Sequence, residues 1–327
     1  MKRKISKVFV LTAVAIILLL AQPVSAAAPL SILDLGNLGG PFGVAHDINE
    51  HGQIVGYSDT ASSAQHAFLW ENGTMTDLGT LGGLSSDAVA INNRGQIVGT
   101  SLTAEGKYHA YLWQDGAMTD LGTLGGSYSF AFAISQKGWI VGDSETASGE
   151  QHAFLWKNGT MTDLGTLGGP LSQANGINAR GQIVGYSYTA SGEEHAFLWK
   201  NGTMTDLGTL GGGFSRANGI NERGQVVGYS MTGAGAHHAF LWEKSSMTDL
   251  GGVDSGAVGI NERGQIVGYG DTASGEHTAF LWQKKTSNSL DTLGGLFSIA
   301  FAINERGQIV GYSFDNQGYV HAVLWRR

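Results

Sequence analysis

One sequence motif, written seven times, dominates this chain. Its tryptophan recurs every 43 residues, except for one spacing of 40 where the chain reads DLGGVDSGAVGIN instead of DLGTLGGGFSRANGIN. These tryptophans, which number the repeats 1 to 7, are Trp70, Trp113, Trp156, Trp199, Trp242, Trp282 and Trp325. Self-similarity at a period of 20–50 residues is typical of solenoids and propellers. The repeat therefore constrains the fold more than any single residue does.

Each copy predicts four short antiparallel strands and no helix. In the second copy they are AVAIN (88–92), QIVGTS (96–101), HAYLW (109–113) and AMTDLG (117–122). The NRGQ turn and the Asn-Gly pairs of several copies favour tight hairpins, while the frequent glycines disfavour helices. Four strands in 40–45 residues is the size of a β-propeller blade.

The two ends of the chain predict how the blades assemble. The repeats open with a lone fourth strand, SILDLG (31–36), and close with a lone third strand, HAVLW (321–325). A linear β-solenoid, the alternative, would leave both edges unpaired, whereas a ring hides them. We therefore predict an all-β, seven-bladed β-propeller of four antiparallel strands per blade. It forms one domain over residues 27–327, and the N-terminal strand closes the ring by joining the last three strands.

The repeat resembles the HAF-repeat family of bacterial proteins. The residues that carry the resemblance are HAFLW, DLGTLGG and IN..GQIVGYS, and they extend through all seven copies. The resemblance implies an extracellular repeat protein, and it implies no catalytic residue. The chain departs from the pattern at Thr278, which replaces the histidine, at Ser135, which replaces the asparagine, and at QKGWI (136–140).

The N-terminus has the pattern of a secretory signal peptide. A basic MKRKISK precedes the apolar run VFVLTAVAIILLL, and small residues favour cleavage after Ala26. An uncleaved membrane anchor is the alternative, although the run is short for a spanning helix. We expect a signal peptide at residues 1–26, no membrane span in the mature chain, and export to the periplasm or the extracellular space.

Composition excludes some partners. Cleavage leaves 15 of the 19 basic side chains against 27 acidic ones, a formal charge of −12. Nucleic acids and anionic membrane surfaces are therefore not expected partners. The chain has no cysteine, so burial rather than disulfides must stabilise an exported fold. We expect a monomer without a cofactor.

The recurring histidine of HAFLW suggests a metal or catalytic site, which the repeat geometry disfavours. Equivalent residues of separate blades lie apart around a ring, and the adjacent His237 and His238 must face opposite sides of one strand. No metal is expected. A two-residue hairpin instead places Phe68 opposite Asp77, with His66 diagonal to it.

A structural His–Asp pair is therefore predicted in each copy. The chain contains its own test, because the aspartate is replaced by Ser289 in the one copy that has Thr278. Asp34 on the first strand would pair with His321 on the last.

The positions at which the copies differ form the candidate ligand site. Repeats that share a framework usually recognise ligands through divergent positions on one face. The copies diverge most around a shared alanine, where the first strands should enter a central channel. The polar members of this set are His46, Asp47, Asp87, Gln173, Asn175, Arg216, Asn218 and Asp254. Such a mixture of polar groups with aromatic neighbours is typical of a shallow binding site. The alternative is that these residues adjust the packing between blades.

Two functions are consistent with this pattern. The first is a secreted, non-catalytic binding module for a carbohydrate, cell-surface or protein ligand, because repeated surfaces suit multivalent contact. The second is a polysaccharide-active enzyme, a lyase or hydrolase, with His46, Asp47, Arg216 and Asp254 as its candidate residues. No nucleophile context and no paired-carboxylate spacing supports catalysis, so we favour binding. A purely structural envelope protein is a third interpretation. Arg216, the sole cation of the set, predicts a carboxylate-bearing ligand.

Overall fold

The computed structural model describes residues 30–272 and 274–327, and the predicted signal peptide lies outside this part. The described residues form 28 β-strands and no helix, which confirms the all-β prediction. No helix among them is therefore long and apolar enough to cross a membrane.

Each of repeats 1 to 6 contributes four consecutive antiparallel strands, and repeat 7 contributes three. The first strands are β2 (Gly39–Ile48), β6 (Gly82–Ile91), β10 (Gly125–Ile134), β14 (Gly168–Ile177), β18 (Gly211–Ile220), β22 (Val253–Ile260) and β26 (Gly294–Ile303). The second strands are β3 (Ile54–Thr60), β7 (Ile97–Thr103), β11 (Ile140–Thr146), β15 (Ile183–Thr189), β19 (Val226–Thr232), β23 (Ile266–Asp271) and β27 (Ile309–Asp315).

The fourth strand is the shortest of each repeat. The third strands are β4 (Gln65–Glu71), β8 (Tyr108–Gln114), β12 (Gln151–Lys157), β16 (Glu194–Lys200), β20 (His237–Glu243), β24 (His277–Gln283) and β28 (Val320–Arg326). The fourth strands are β5 (Thr74–Asp77), β9 (Ala117–Asp120), β13 (Thr160–Asp163), β17 (Thr203–Asp206), β21 (Ser246–Gly251) and β25 (Thr286–Ser289). In repeat 7 the fourth strand is β1 (Ser31–Asp34), which pairs antiparallel with β28.

The first strands begin earlier than the sequence predicts. In repeat 2 the strand starts at Gly82 rather than at residue 88. This additional part of the strand needs glycine because a Cβ on Gly83 would collide with Leu102 of the neighbouring strand. The hairpin turns follow the prediction: Asn72 and Gly73 both have positive φ angles, of 53° and 86°.

A β-bulge interrupts every first strand directly after the shared alanine. In repeat 4 the ladder pairs Ala174 with Gly185. It resumes at Gly176, and Asn175 between them has no partner. The same shift occurs in the other six repeats. A glycine is needed opposite the bulge because a Cβ on Gly185 would collide with the carbonyl oxygen of Gln173.

The hydrophobic core lies between neighbouring repeats. Val55 and Ala67 of repeat 1 pack with Ile97 and Tyr111 of repeat 2, and all four are fully buried. An equivalent cluster contains Leu324 of repeat 7 together with side chains of repeat 1. Each repeat therefore buries its apolar faces against both of its neighbours.

A belt of hydrogen bonds joins the turns that follow the first strands. In repeat 1, Asn49 Nδ2 donates to the carbonyl of Asn92 at 3.1 Å. Asn304 of repeat 7 donates to the carbonyl of Asn49, also at 3.1 Å. The other members are Asn92, Asn178, Asn221 and Asn261. Repeat 3 has Ser135 at this position, so among the described repeats its junction with repeat 4 lacks the bond.

Candidate functional site

A cavity of about 520 Å³ lies where the first strands converge. All seven bulge residues line it: His46, Val89, Phe132, Asn175, Asn218, Val258 and Phe301. A bulge redirects the side chain of its extra residue and frees it from the ladder. The framework of this site is thus shared by all repeats, while its chemistry is set by one variable residue from each.

The cavity wall has two polar parts separated by apolar ones. His46 comes from repeat 1, whereas Asn175 and Asn218 come from repeats 4 and 5. Valine and phenylalanine occupy the positions between them. The next residue along each strand is small, except for Asp47: Ala90, Ala133, Gly176, Gly219, Gly259 and Ala302. Isoleucines complete the wall: Ile134, Ile177, Ile220, Ile260 and Ile303.

His46 and Asp47 form a charged cluster with Asp87. The Nδ1 atom of His46 is hydrogen-bonded to the carbonyl of Ala88 at 3.1 Å and lies 3.2 Å from Asp87 Oδ1. That Asp87 oxygen is buried and has no well-aligned hydrogen bond. Burial alone would lower the pKa of His46, but Asp87, the Ala88 carbonyl and Asp47 together raise it. Among the described residues, His46 Nε2 has no hydrogen-bond partner.

The carboxylate of Asp47 is fixed by the backbone. Its Oδ1 accepts from Ile48 N at 2.8 Å, and its Oδ2 accepts from Ile91 N, in the next repeat, at 2.9 Å. Burial raises the pKa of Asp47 to about 6, although the two amides and His46 oppose the rise. Asp47 therefore titrates close to neutral pH.

Asn175 and Asn218 each link two repeats and still offer groups to the cavity. Their Nδ2 atoms donate to the carbonyls of Ala217 and Ala257, both at 2.9 Å. Gln173 lies outside the cavity wall, and its Nε2 donates to Asn175 Oδ1 at 2.8 Å. In the described part of the chain, Asn218 Oδ1 accepts no hydrogen bond. These contacts give the predicted residues a role in packing between repeats as well as a place in the site.

Arg216 is not a free cation. Its guanidinium makes a two-pronged ion pair with Glu194 of the preceding repeat, with Nη2 3.0 Å from Oε2. It also lies 4.2 Å over the ring of Tyr186. The hydrogen bonds that Arg216 donates to Glu194 raise the pKa of Arg216 further above its usual range, although partial burial opposes the rise. Arg216 is a half-buried residue of β18 rather than an exposed loop-end cation, and it lies outside the cavity wall.

The remaining predicted residues are also placed elsewhere. Asp87 contacts His46 from outside the wall, and Asp254 is an exposed residue 3.7 Å from His237 Nδ1. The structure thus places His46, Asp47, Asn175 and Asn218 in the cavity wall. Asp87 and Gln173 contact wall residues from outside it, and Arg216 and Asp254 are not part of the wall. Phe132 and Phe301, aromatic members of the divergent set that were not among the predicted polar ligand residues, stand at the same position as His46 in their repeats and line the cavity with it.

The predicted His–Asp pairs are present in all six repeats that have both residues. In repeat 3, His152 Nδ1 lies 2.8 Å from Asp163 Oδ2. The other pairs are His66–Asp77, His109–Asp120, His195–Asp206, His238–Asp249 and His321–Asp34, at 2.7–2.9 Å. The aspartates are about two-fifths exposed, so the pairs lie at the surface rather than inside the stack of strands. Among the described residues, no group of three or more histidine or acidic side chains is placed to hold a metal ion.

Comparison with known proteins identifies a fold and no family. No protein-family model and no curated protein sequence matches the chain. The β-propeller domain of the Trilobed protease from Pyrococcus furiosus matches with a TM-score of 0.60 at 10% identity, covering 87% of this chain and 93% of that one. TolB from Acinetobacter baumannii gives 0.53 at 12%, covering 88% and 67%. The BP39L lectin from Burkholderia pseudomallei gives 0.51 at 9%, covering 89% and 99%. At such identities the similarity shows the fold alone: the chain is an all-β protein with a propeller-like architecture.

Proposed function

We propose that this protein is a non-catalytic binding module that holds a small neutral carbohydrate in the central cavity of a seven-bladed β-propeller. The observation that carries the proposal is the cavity wall, to which each repeat contributes one bulge residue. Those residues are of four types across the seven repeats, while the bulge that presents them recurs in every repeat.

The seven-bladed ring is supported by three contacts between the chain ends. Strand β1 completes the last repeat by pairing with β28. Asn304 continues the asparagine belt onto Asn49. The core cluster of the last repeat includes side chains of the first. A ring of this kind leaves only the short, protected edges of each blade.

A neutral carbohydrate fits the chemistry of the wall. Phe132 and Phe301 offer flat apolar surfaces for the C–H face of a sugar ring, and His46, Asn175 and Asn218 offer donors and acceptors for its hydroxyls. A pocket of about 300–1,000 Å³ with a few placed polar groups is typical of small-ligand sites, and this cavity is within that range. An acidic ligand is disfavoured, because Asp47 lines the wall and Glu194 already neutralises Arg216.

The enzyme alternative has one observation in its favour. The pKa of Asp47, raised to about 6, would suit a general acid. However, glycoside hydrolysis normally uses two carboxyl groups flanking the scissile bond, and Asp47 is the one carboxylate among the described residues of this wall. Both oxygens of Asp47 also accept hydrogen bonds from backbone amides. The similar structures do not choose between the functions, since one is named a lectin and another a domain of a protease.

We also propose that the chain is an exported member of the HAF-repeat family. The sequence motif and the leader pattern of residues 1–26 support this assignment. The mass of the protein recovered from the periplasm or the medium tests whether the chain is exported and cleaved. Cleavage after Ala26 is expected, and a full-length protein retained in the membrane would contradict export.

The binding proposal is tested with Asn218→Val, which copies the residue that repeat 6 carries at the same position. A glycan array followed by calorimetry should find a neutral glycan that binds the parent protein. Asn218→Val and Phe301→Val should each weaken its binding about tenfold or more, a change of about 1.4 kcal/mol or more, and both variants should remain folded at the temperature of the measurement. The exposed Asn288→Val is the matched control and should bind like the parent. Undiminished binding by both cavity variants would place the ligand elsewhere.

A further inference from the structure

A second cavity, of about 260 Å³, lies between repeats 5 and 6. It is lined on one side by Phe280 and Trp282 of β24 and on the other by the short segment that connects β21 to β22. Its polar lining includes the side chains of Thr278, Ser287 and Ser289. This cavity is separate from the central one, and the two share no lining residue.

The cavity exists because repeat 6 lacks side chains that the other repeats have at this place. In the other junctions a connecting leucine and a residue of the fourth strand, such as Leu210 and Met247, pack against the tryptophan of the repeat. In repeat 6 the connecting segment is three residues shorter and has no such leucine, and Ser287 stands where Met247 stands in repeat 5. The core cluster at Trp282 accordingly contains neither side chain.

At this junction repeat 6 differs from the other repeats at both members of two hydrogen-bonded pairs. In the other repeats the amide of the connecting leucine donates to a serine on the second strand, as Leu210 N does to Ser230 Oγ at 2.9 Å. Repeat 6 lacks this leucine and has Gly270 in place of the serine. The His–Asp pair is likewise replaced on both sides, by Thr278 and Ser289. Every side-chain nitrogen or oxygen of this lining that is fully shielded from solvent has a hydrogen-bond partner, so the cavity is not a site of broken bonds.

Three hydroxyl-bearing residues line the cavity beside Phe280 and Trp282, and their hydroxyl groups are free to bond a ligand. Among the described residues, none of Thr278, Ser287 and Ser289 makes a side-chain hydrogen bond, and each hydroxyl can both donate and accept. Ser287 and Ser289 are exposed, so the cavity opens to solvent on their side. Asp271 also lines it, and its Oδ1 is already bonded to His277 Nδ1 at 2.7 Å.

We propose that this cavity is a second ligand site, specific for a single neutral pyranose ring. Trp282 and Phe280 would contact the apolar face of the ring, and the three hydroxyls would bond its hydroxyl groups. The volume is below the range of about 300–1,000 Å³ that is usual for larger ligands, so one ring fits and an oligosaccharide does not. The carboxylate of Asp271 disfavours an acidic sugar.

The test uses Ser287→Met, which restores the residue found at this position in repeats 1 to 5 and fills the cavity. The probes are methyl α- and β-pyranosides of glucose, galactose, mannose and fucose, followed by saturation-transfer NMR and calorimetry. At least one should bind the parent protein with millimolar or tighter affinity, and Ser287→Met should weaken that binding about tenfold or more. Its melting temperature should stay equal or rise, because the variant adds apolar contact to Trp282.

Two controls separate this site from the central one. Thr286→Met adds the same side chain one residue away, outside the cavity wall, and should bind like the parent. Asn218→Val alters the central cavity and should leave pyranoside binding at repeat 6 unchanged, whether or not the central site binds a glycan. The proposal is overturned if no pyranoside binds at millimolar concentration, if Ser287→Met binds as well as the parent, or if an apolar probe such as toluene binds and no sugar does.

Discussion

The Nδ1 atom of His321 lies 2.9 Å from Oδ2 of Asp34, although the two residues stand at opposite ends of the described chain. In the five other repeats that have both residues, the same contact links the third and fourth strands of one hairpin. Here it links the last strand to the first, and His321 Nε2 also lies 3.3 Å from Asp315. The histidine therefore joins β28 to both of its neighbours.

Removal of β1 should destabilise the whole protein. A variant that lacks residues 27–38 loses the pairing with β28 and the buried side chain of Leu35, and it leaves a sheet edge open to self-association. We expect a melting temperature lower by many degrees, or oligomers in size-exclusion chromatography. The point variant Asp34→Ala, which keeps the strand, is the control and should remain monomeric. A truncated monomer that melts like the parent would contradict the role of β1.

The His–Asp pairs should contribute modestly to stability. His152→Ala and Asp163→Ala should each cost about 0.5–1 kcal/mol, because a partly exposed pair is worth less than a buried one. In a double-mutant cycle the two costs should add to more than the cost of the double variant. Chemical denaturation measures all four proteins. Strict additivity would show that the 2.8 Å contact has no energetic consequence.

The asparagine belt should be worth more than the surface pairs. Asn221 is buried, and its Nδ2 donates to the carbonyl of Asn261 at 3.1 Å and to Gln225 Oε1 at 2.8 Å. Asn221→Ala leaves both acceptors without this donor and should cost about 1–3 kcal/mol. The exposed Asn288→Ala is the control for loss of an amide. Equal denaturation midpoints of the two variants would show that the hydrogen bonds of Asn221 in this belt do not stabilise the fold.

Asp143 should make stability depend on pH. It is buried, its Oδ1 has no partner, and burial raises its pKa to about 7, despite a hydrogen bond from Gln151 at 2.7 Å. Because the folded pKa exceeds the unfolded one of about 4, the contribution of Asp143 is fully present below pH 4. It is lost as the pH rises through 7.

The isosteric Asp143→Asn cannot ionise, so it should be more stable than the parent at pH 8, by up to about 4 kcal/mol. The difference should shrink towards pH 5. Denaturation curves at the two pH values measure it, with the exposed Asp291→Asn as a control that should show no such trend. A difference between Asp143→Asn and the parent that is the same at both pH values would assign it to packing instead of charge.

The sequence was enough to predict the strand order, the hairpin turns and the register that pairs His152 with Asp163, because each depends on local spacing. It was not enough to select the residues of the cavity wall, because the bulge turns one residue per strand out of the ladder. A trace of the bulge exists in the repeat: Ser172 and Ala174 are buried two residues apart, but the next buried core residue is Ile177. Since side chains alternate along a strand, an odd step between two residues of one face requires an extra residue. The partner of Arg216 was not predictable in this way, because Glu194 comes from a different repeat.

The same bulge has a consequence for protein engineering. Seven bulge residues, one per repeat, have no partner in the strand ladder, and all of them line the central cavity. Each can be exchanged with its counterpart from another repeat, because every residue found there is already compatible with the shared framework. A library built from only the four residue types present (histidine, valine, phenylalanine and asparagine) would thus give central cavities with many different sets of lining side chains on one unchanged scaffold. The propeller-like fold therefore separates the part of the sequence that specifies the architecture from the part that is free to specify a ligand.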